Sequence, residues 1–493
     1  MINIENDGVC KFSVKGEHIT LRAITFHSST DDHDTLVEES KKYMFRGAVE
    51  ETQGHVFILY DAQKDTATVF IVAVPDYFMP SLEIKENTVY IKTDGYPVSV
   101  GYSKISEAEA LVREWYKMQY RPASLHTMSN TWGDRNGRTR VSDEFIRLEI
   151  DSAADLGLDV VQIDDGWQKG IPDVYDDDHN RVFEGDFWKL KYEKFPNGME
   201  PISKYARNKE VELGLWFAPE SRGRFKNVER DLAVLKQAYR EWKIKYFKLD
   251  MIKLPNGEYA NSMLDFLDEV FSLGDDVSVE LDVTADVRLG YLASAPYGTI
   301  FVENRYSAWS NYYPHRTLRN LWSLSRFIPT SKFQFELLNP ELCTDKYSSD
   351  DAFRPELYDI DYLFASVMYS NPLFWMETQF LSDECRARLK KIIGIWKKHR
   401  KALVSADIYP IAEEPNGASM TGFVADAGDE ILVSVFREST ERESYSFDLG
   451  CATTDEVTLL ASNTCVEFSK CGNSLNVEFG KMRSYAWFLL KKK

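Results

Sequence analysis

The sequence has little that would suit an exported or membrane-bound protein. Its six cysteines among 493 residues are scattered and form no CxxC pair, which favours free thiols over disulfides or zinc ligands. No stretch approaches the roughly 20 apolar residues of a membrane span. The chain does not open with a basic segment followed by an apolar one. We therefore expect a protein of the reducing cytoplasm.

Positive charge is also scarce, because 59 Lys and Arg stand against 78 Asp and Glu, with a formal net charge of −19. A surface of this sign repels nucleic-acid backbones and anionic lipid headgroups. Nucleic acids and membranes are therefore not expected as partners. The sequence leaves the oligomeric state open, a homo-oligomer included.

Several common catalytic signatures are missing. The sequence contains no GxGxxG or GxxxxGK[ST] phosphate loop, no GxSxG turn, and no HxH or HExxH zinc motif. Nucleotide binding, serine-hydrolase chemistry and zinc catalysis therefore lack support, and no cofactor is expected.

Alternating apolar and polar residues at both ends of the chain predict antiparallel β-sheets. Segments such as ITLRAITF and TATVFIVAV near the start, and EILVSVFRE near the end, are rich in β-branched residues and bounded by turn residues. We predict a β-sandwich over residues 1–105 and a second one over 404–493.

Between these ends, strand-like runs alternate with helix-like stretches. The runs number eight at roughly 30-residue spacing, which is typical of a (β/α)₈ barrel: LHTMSNTW, DVVQIDD, ELGLWFAPE, IKYFKLD, VSVELD, TIFVEN, FQFELLN and a run ending in FWME. We predict this barrel over residues 106–403, entered through a connecting helix in SEAEALVREWYKMQ.

Most of the predicted barrel strands end in an acidic residue or a tryptophan. These residues are Trp132, Asp164, Asp165, Trp216, Asp250, Asp282, Glu303 and Glu377. In such a barrel the strand ends converge on the face where active sites are built. Any one acidic residue could instead be the N-cap of the next helix, but the whole set favours a site for a polar ligand.

The stretch YFKLD carries the strongest chemical signal. Lys248 and Asp250 are two residues apart on a strand, so both point to one face, with Tyr246 one layer lower. An adjacent ammonium would lower the pKa of a carboxylate nucleophile, although a structural salt bridge is the alternative. Glu303, two strands further on, would face Asp250 across a pocket, or it would cap the following loop.

Two carboxylates together with aromatic residues are what glycoside hydrolysis requires. Two other functions stay open on the residues alone. One is a metal-dependent barrel enzyme of enolase-like type, because carboxylates at strand ends also bind magnesium. The other is a carbohydrate-binding barrel without catalytic activity.

The segment from about Asn130 to Asn304 resembles the clan of retaining α-galactosidases, and most closely glycoside hydrolase family 36. It contains IDDGW, GLWFAPE in place of that family's GLWFEPE, and KLD in place of its KWD. The resemblance implies a barrel flanked by β-sandwiches. It also implies a retaining, exo-acting enzyme that hydrolyses terminal α-galactosides without a cofactor.

The resemblance also implies roles for individual residues. Asp250 would be the nucleophile and Lys248 a ligand of sugar hydroxyls. Asp164 and Asp165 would accept hydrogen bonds from the O4 and O6 hydroxyls of a galactose-like ring, and Trp216 would line the pocket. We add Trp132, at the end of the first barrel strand, to the expected substrate-binding residues.

The sequence departs from the family's motifs in two places. IFVEN stands for a WTSDN-like stretch, so the acid/base would be Glu303 in place of Asp, with Phe301 near the family's Trp. ELDVTADVRLG stands for ECSGGGGRFD, so Glu280 and Arg288 match while Asp282 replaces the Cys and the glycines are gone.

The second departure bears on the C2 substituent of the sugar. Asp282, Thr284 and Asp286 are bulkier hydrogen-bond acceptors than the residues they replace. The sequence therefore predicts a preference for a free C2 hydroxyl over an N-acetyl group.

Overall fold

The computed structural model describes residues 1–16, 18–28, 33–120, 124–133, 137–171, 185–282, 284 and 287–492. Within these ranges a central barrel lies between two pairs of antiparallel sheets. This is the fold class predicted from the sequence. The three predicted domain ranges, 1–105, 106–403 and 404–493, stay predictions.

The N-terminal part contains a six-stranded and a four-stranded antiparallel sheet that share one apolar core. The strand order is β1-β10-β7-β6-β3-β4 in the first sheet and β2-β9-β8-β5 in the second. The strands are β1 (Ile2–Ile4), β2 (Val9–Ser13), β3 (Ile19–Phe26), β4 (Val37–Tyr43), β5 (Val49–Gln53), β6 (Val56–Asp61), β7 (Thr66–Val72), β8 (Ser81–Lys85), β9 (Thr88–Lys92) and β10 (Val98–Ser103).

The barrel is closed and consists of eight parallel strands in sequence order. They are β11 (Met128–Asn130), β12 (Val160–Ile163), β13 (Glu212–Phe217), β14 (Tyr246–Leu249), β15 (Ser278–Asp282), β16 (Thr299–Phe301), β17 (Phe333–Leu337) and β18 (Asn371–Phe374). Pairing of Met128 with Leu373 closes the ring. All eight strands lie at or within the predicted runs.

Helices surround the barrel and connect its strands. They are α1 (Ala108–Gln119), α2 (Asp143–Leu156), α3 (Glu200–Arg207), α4 (Val228–Arg240), α5 (Gly257–Phe271), α6 (Gly290–Ala293), α7 (Pro314–Ser325), α8 (Ile360–Val367) and α9 (Asp383–Ser405). The predicted connecting helix is α1. Side-chain caps fix some helix starts, as where the Ser142 hydroxyl accepts a hydrogen bond from the Phe145 N–H. No helix in the described ranges is both long and apolar enough to cross a membrane.

The C-terminal part pairs a five-stranded sheet, ordered β19-β20-β21-β26-β23, with a three-stranded sheet, ordered β22-β25-β24. The strands are β19 (Asp407–Ala412), β20 (Met420–Asp426), β21 (Glu430–Arg437), β22 (Ser444–Asp448), β23 (Thr453–Ser462), β24 (Val466–Cys471), β25 (Ser474–Phe479) and β26 (Ser484–Lys492).

Ion pairs join the terminal sheets to the barrel. Glu109 of α1 binds both Arg22 of β3 and Arg326, which directly follows α7, at 2.6 Å each. Arg113 of α1 binds Asp407 of β19 at 2.9 Å. The same short helix therefore contacts the N-terminal sheet, the barrel and the C-terminal sheet.

Candidate active site

Lys248 lies at the centre of a cluster of carboxylates at the C-terminal end of the barrel. Its Nζ is 3.3 Å from Asp164 Oδ2 and 3.4 Å from Asp282 Oδ2. Burial lowers the pKa of the ammonium, but the charges of Asp164, Asp282 and Asp250 outweigh this effect and raise it. Lys248 therefore keeps its positive charge in a site of three acids.

Two aromatic rings cover the same ammonium. The ring centroids of Phe301 and Trp375 lie 4.9 and 4.7 Å from Lys248 Nζ, within the range of a cation–π contact. Phe301 is wholly buried and packs on Trp375 with a centroid separation of 5.0 Å. Phe301 thus forms the apolar wall next to the charged cluster.

Asp250 directly follows β14 and is only half-buried. Its Oδ2 accepts a hydrogen bond from the Trp216 indole N–H at 2.9 Å, and its Oδ1 accepts one from the Met251 backbone N–H. Burial raises the pKa of this carboxyl, but Lys248 and Arg288 outweigh burial and lower it. The result is an ionised carboxylate with access to the barrel mouth, as a nucleophile requires.

Asp164 is buried and has partners on both oxygens. Its Oδ2 accepts from the Asn130 side-chain amide at 2.8 Å and faces Lys248, and its Oδ1 accepts from the Asp165 backbone N–H at 2.8 Å. Because a carboxylate oxygen has more than one acceptor site, Asp164 can also accept from a ligand hydroxyl.

Asp165 points to a different set of partners. Its Oδ1 accepts from the Gln168 amide at 2.6 Å, and its Oδ2 pairs with Arg138 at 3.1 Å. Gly166, which follows the two acids, has a φ of +122°, and a Cβ there would lie 2.6 Å from the Arg138 carbonyl oxygen. The glycine of DDGW therefore allows the backbone of Arg138, the partner of Asp165, to approach closely.

Asp282 is the last residue of β15 and is also buried. Its Oδ1 accepts from the Thr284 backbone N–H at 2.9 Å and from the Thr284 hydroxyl at 2.5 Å. Burial and the charge of Asp250 raise the pKa of Asp282 to about 6. Arg288 donates to the Thr284 carbonyl at 2.9 Å, while Asp286 lies outside the described residues.

Glu303 follows β16 and is wholly buried. Its Oε2 accepts from the Thr317 hydroxyl at 2.7 Å, and its Oε1 accepts from the Asn320 amide. Both donors belong to α7, on the outer layer of the barrel. The acid/base role of Glu303 stays a prediction.

Trp132 lies at the rim of the barrel mouth and is half-buried. Its indole N–H donates to the Tyr306 hydroxyl at 3.1 Å. The Arg138 guanidinium carbon lies 5.9 Å from its ring centroid. The structure therefore places Trp132 next to Arg138, the partner of Asp165.

A layer of polar side chains below the mouth was not predicted as part of the site. Asn130 donates to Gln162 Oε1 at 2.7 Å, and Gln162 donates to Glu280 Oε2 at 3.1 Å. Burial raises the pKa of Glu280 to about 8. The two-residue period of a strand could have predicted this layer from the sequence. Gln162 precedes Asp164 by two residues, and Glu280 precedes Asp282 by two.

A group of potential metal ligands occurs in the described ranges, but it lies outside the barrel. Within the described ranges, three such side chains have their ligand atoms close together only at His27, His33 and Glu38. These residues belong to the N-terminal sheet and its β3–β4 connection, and none is a barrel residue. The acidic residues around Lys248 have that ammonium and nearby hydrogen-bond donors as their partners.

Part of the barrel is similar to a known protein family. Residues 93–253 match the family model described as Melibiase. The match is to this segment of the chain. It includes Asp164, Asp165, Trp216, Lys248 and Asp250, whereas Asp282, Arg288, Phe301 and Glu303 lie beyond its end.

Curated relatives align over a limited part of the chain. The α-galactosidase Mel36A of Lactobacillus acidophilus is 32% identical over 126 residues, 24% of this chain and 15% of that protein. An α-galactosidase of Escherichia coli is 31% identical over 104 residues, 21% of this chain and 13% of that protein. The aligned region thus spans less than a sixth of the length of either relative.

Solved structures match over almost the whole chain. A variant of the family 36 α-galactosidase AgaA of Geobacillus stearothermophilus, in complex with 1-deoxygalactonojirimycin, superposes with a TM-score of 0.71 at 15% identity, covering 98% of this chain and 76% of that one. The galactosidase domain of the α-galactosidase–sucrose kinase AgaSK gives 0.69 at 15% identity, covering 100% and 78%. A further AgaA variant was solved in complex with raffinose. These matches show the shared fold. Together with the Melibiase match and the curated α-galactosidases, they confirm the predicted resemblance to family 36.

Proposed function

We propose that this protein is a retaining, exo-acting α-glycosidase that hydrolyses terminal α-galactosides or a closely related galacto-configured sugar by double displacement. The observation that carries this proposal is the partly buried Asp250 carboxylate, which Lys248 and Arg288 keep ionised at the barrel mouth. The Trp216 N–H fixes its orientation. The Melibiase match, which includes this carboxylate, supports the same chemistry.

In the first step an Asp250 oxygen attacks the anomeric carbon, and the glycosidic bond breaks toward the leaving oxygen. A second carboxyl gives that oxygen a proton, and the intermediate is a glycosyl ester of Asp250. In the second step the same carboxylate takes a proton from water, which attacks the anomeric carbon and releases Asp250. The sequence prediction assigns this proton transfer to Glu303.

The contacts around Asp164 and Asp165 support a galacto-configured ring. The two acids are adjacent but have separate partners, so each can accept from a different hydroxyl. A ring with an inverted C4 hydroxyl would leave a buried carboxylate without that partner, which costs on the order of 1–3 kcal/mol. The complex of a Geobacillus α-galactosidase of the same fold with raffinose agrees with such a substrate.

We further propose a cytoplasmic location. All six cysteines are free thiols, of which Cys465 and Cys471 are exposed, and exposed thiols of this kind persist in reducing compartments. Fractionation of cells that express a C-terminally tagged chain would test this.

Purified protein tests the activity directly with nitrophenyl α-galactoside, using nitrophenyl β-galactoside and α-glucoside as controls. We expect turnover of the first substrate only. Proton NMR during the reaction should show α-galactose as the first product, because two displacements restore the anomeric configuration. First formation of β-galactose would contradict the retaining mechanism.

The same assay separates the other candidate functions. Activity that disappears on dialysis against a chelator and returns with magnesium would favour a metal-dependent enzyme. Calorimetric binding of galactose without turnover of any α-galactoside would favour a carbohydrate-binding protein.

A further inference from the structure

The contacts of Glu303 raise the question of which carboxyl transfers the proton. A general acid must come within about 2.6–3.2 Å of the leaving oxygen. Thr317 and Asn320 of α7 engage both oxygens of Glu303. Its carboxyl thus contacts the helical layer around the barrel.

Asp282 lies on the strand next to the one that ends before Asp250. On the neighbouring strands Lys248 pairs with Glu280 and Leu249 with Leu281, so Asp250 and Asp282 come next in the same register. Adjacent strands are about 4.8 Å apart, and residues at paired positions point to the same face. The two carboxyls therefore lie side by side at the barrel mouth, close enough for the charge of Asp250 to act on Asp282.

The two oxygens of Asp282 have different partners. Thr284 holds Oδ1 through two hydrogen bonds, whereas Oδ2 lies 3.4 Å from Lys248 Nζ. Thr284 therefore fixes the orientation of the carboxyl and leaves Oδ2 on the side of the charged cluster.

The charges around Asp282 set its protonation. Burial and then Asp250 raise its pKa to about 6, while Lys248 and Arg288 oppose them. Tyr306, from the loop after β16, also senses the Asp282 charge. Asp250, in contrast, has a lowered pKa. Two neighbouring carboxyls with pKa values pushed apart are the arrangement of a nucleophile and an acid.

We propose that Asp282, and not Glu303, is the catalytic proton donor and acceptor of this site. The inference rests on the proposed function. When Asp250 attacks the anomeric carbon, the electron pair of the glycosidic bond goes to the leaving oxygen, which takes the proton of Asp282. The Asp282 carboxylate then takes a proton from water, whose oxygen forms the new bond to the anomeric carbon while Asp250 leaves as a carboxylate.

Substrates with different leaving groups test this assignment. Dinitrophenyl α-galactoside needs no proton on departure, whereas methyl α-galactoside does. For D282N we expect kcat/KM to fall about 100-fold or more on the methyl glycoside and less than about tenfold on the dinitrophenyl one. E303Q keeps the size of the Glu303 side chain and should lower both values by the same factor.

The pH profile and azide rescue give a second readout. The alkaline limb of kcat/KM, expected near pH 6 in the wild type, should be absent in D282N and present in E303Q. D282A with azide should form α-galactosyl azide, because azide enters where Asp282 stood. Circular dichroism establishes the folding of each variant. If D282N and D282A fail to fold, D282E takes their place. It keeps an acid and should retain the alkaline limb at reduced kcat.

The possible failures are distinct. The assignment to Asp282 would be overturned if E303Q showed the leaving-group dependence and E303A the azide rescue while D282N and D282A showed neither. The proposed function would still stand. Absence of wild-type turnover on every α-galactoside would overturn the proposed function and this inference with it.

Discussion

The Trp216 indole N–H lies 2.9 Å from Asp250 Oδ2 and donates a hydrogen bond to it. A hydrogen bond to a charged group contributes about 1.5–3 kcal/mol. We therefore expect W216F to lower kcat/KM on nitrophenyl α-galactoside by about 10- to 100-fold. W396F is the matched control, because Trp396 is equally buried and its N–H donates to the Met368 carbonyl. A W216F enzyme as active as W396F would show that this bond does not orient the nucleophile.

Removal of the nucleophile itself should abolish turnover. We expect D250A to lose at least about 1000-fold in kcat, with an unchanged circular dichroism spectrum, because the partly buried side chain lies at a strand end and is not part of the apolar core. Azide should partly restore activity on dinitrophenyl α-galactoside and give β-galactosyl azide, the product of a single displacement. A folded D250A with more than a few per cent of wild-type turnover would exclude Asp250 as the nucleophile.

Lys248 should be essential for stability as well as for activity. K248M leaves Asp164, Asp282 and Asp250 without their shared ammonium, and a buried charge that loses its partner costs about 3–5 kcal/mol. Urea unfolding at pH 7 should show a loss of this size. K245M is the control, because Lys245 is partly exposed and pairs with Glu212 and Asp276 near the surface, where we expect at most about 1 kcal/mol. Equal losses of unfolding free energy in the two variants would show that Lys248 does not stabilise the carboxylates around it.

Glu280 makes stability depend on pH in a specific direction. Its carboxyl ionises above about pH 4.3 in the unfolded chain but, with a folded pKa of about 8, stays protonated in the native state until higher pH. The native state then binds more protons, so this residue lowers the unfolding free energy as pH rises from about 4.3 to about 8. E280Q removes the ionisation.

The corresponding measurement is the difference in Tm between E280Q and the wild type. We expect it to be small at pH 4.5 and to grow in favour of E280Q up to pH 8. E269Q, which changes an exposed carboxyl on α5, should show no such trend. A difference that is constant across this range would mean that Glu280 ionises in the folded state as it does in the unfolded chain.

Most of the fold was predictable because its signals are local. Each barrel strand is a short apolar run with a polar end, and most are followed by an amphipathic helix, so order and closure follow from the general rule for such barrels. Lys248 and Asp250 could be paired for the same reason, since residues two apart on a strand share a face.

Other parts of the site depend on contacts between distant residues. No local pattern links Glu303 to Thr317 and Asn320, because their separation in space depends on how α7 rotates against the barrel. The position of Asp282 next to Asp250 depends on the register of β14 and β15, which the sequence of either strand does not specify. Arg138, the partner of Asp165, was likewise not predicted, because it lies in a loop without a periodic signal.

Helix α7 connects the barrel to both terminal sheets. The helix holds Glu303, its Trp322 donates to the Ile411 carbonyl of β19, and the adjacent Arg326 binds Glu39 of β4. One helix thus contacts both terminal sheets and also binds Glu303 beside the barrel mouth. Chains that lack either sandwich would be expected to lose stability, because α7 then lacks one of its two supports, even where the barrel itself still closes.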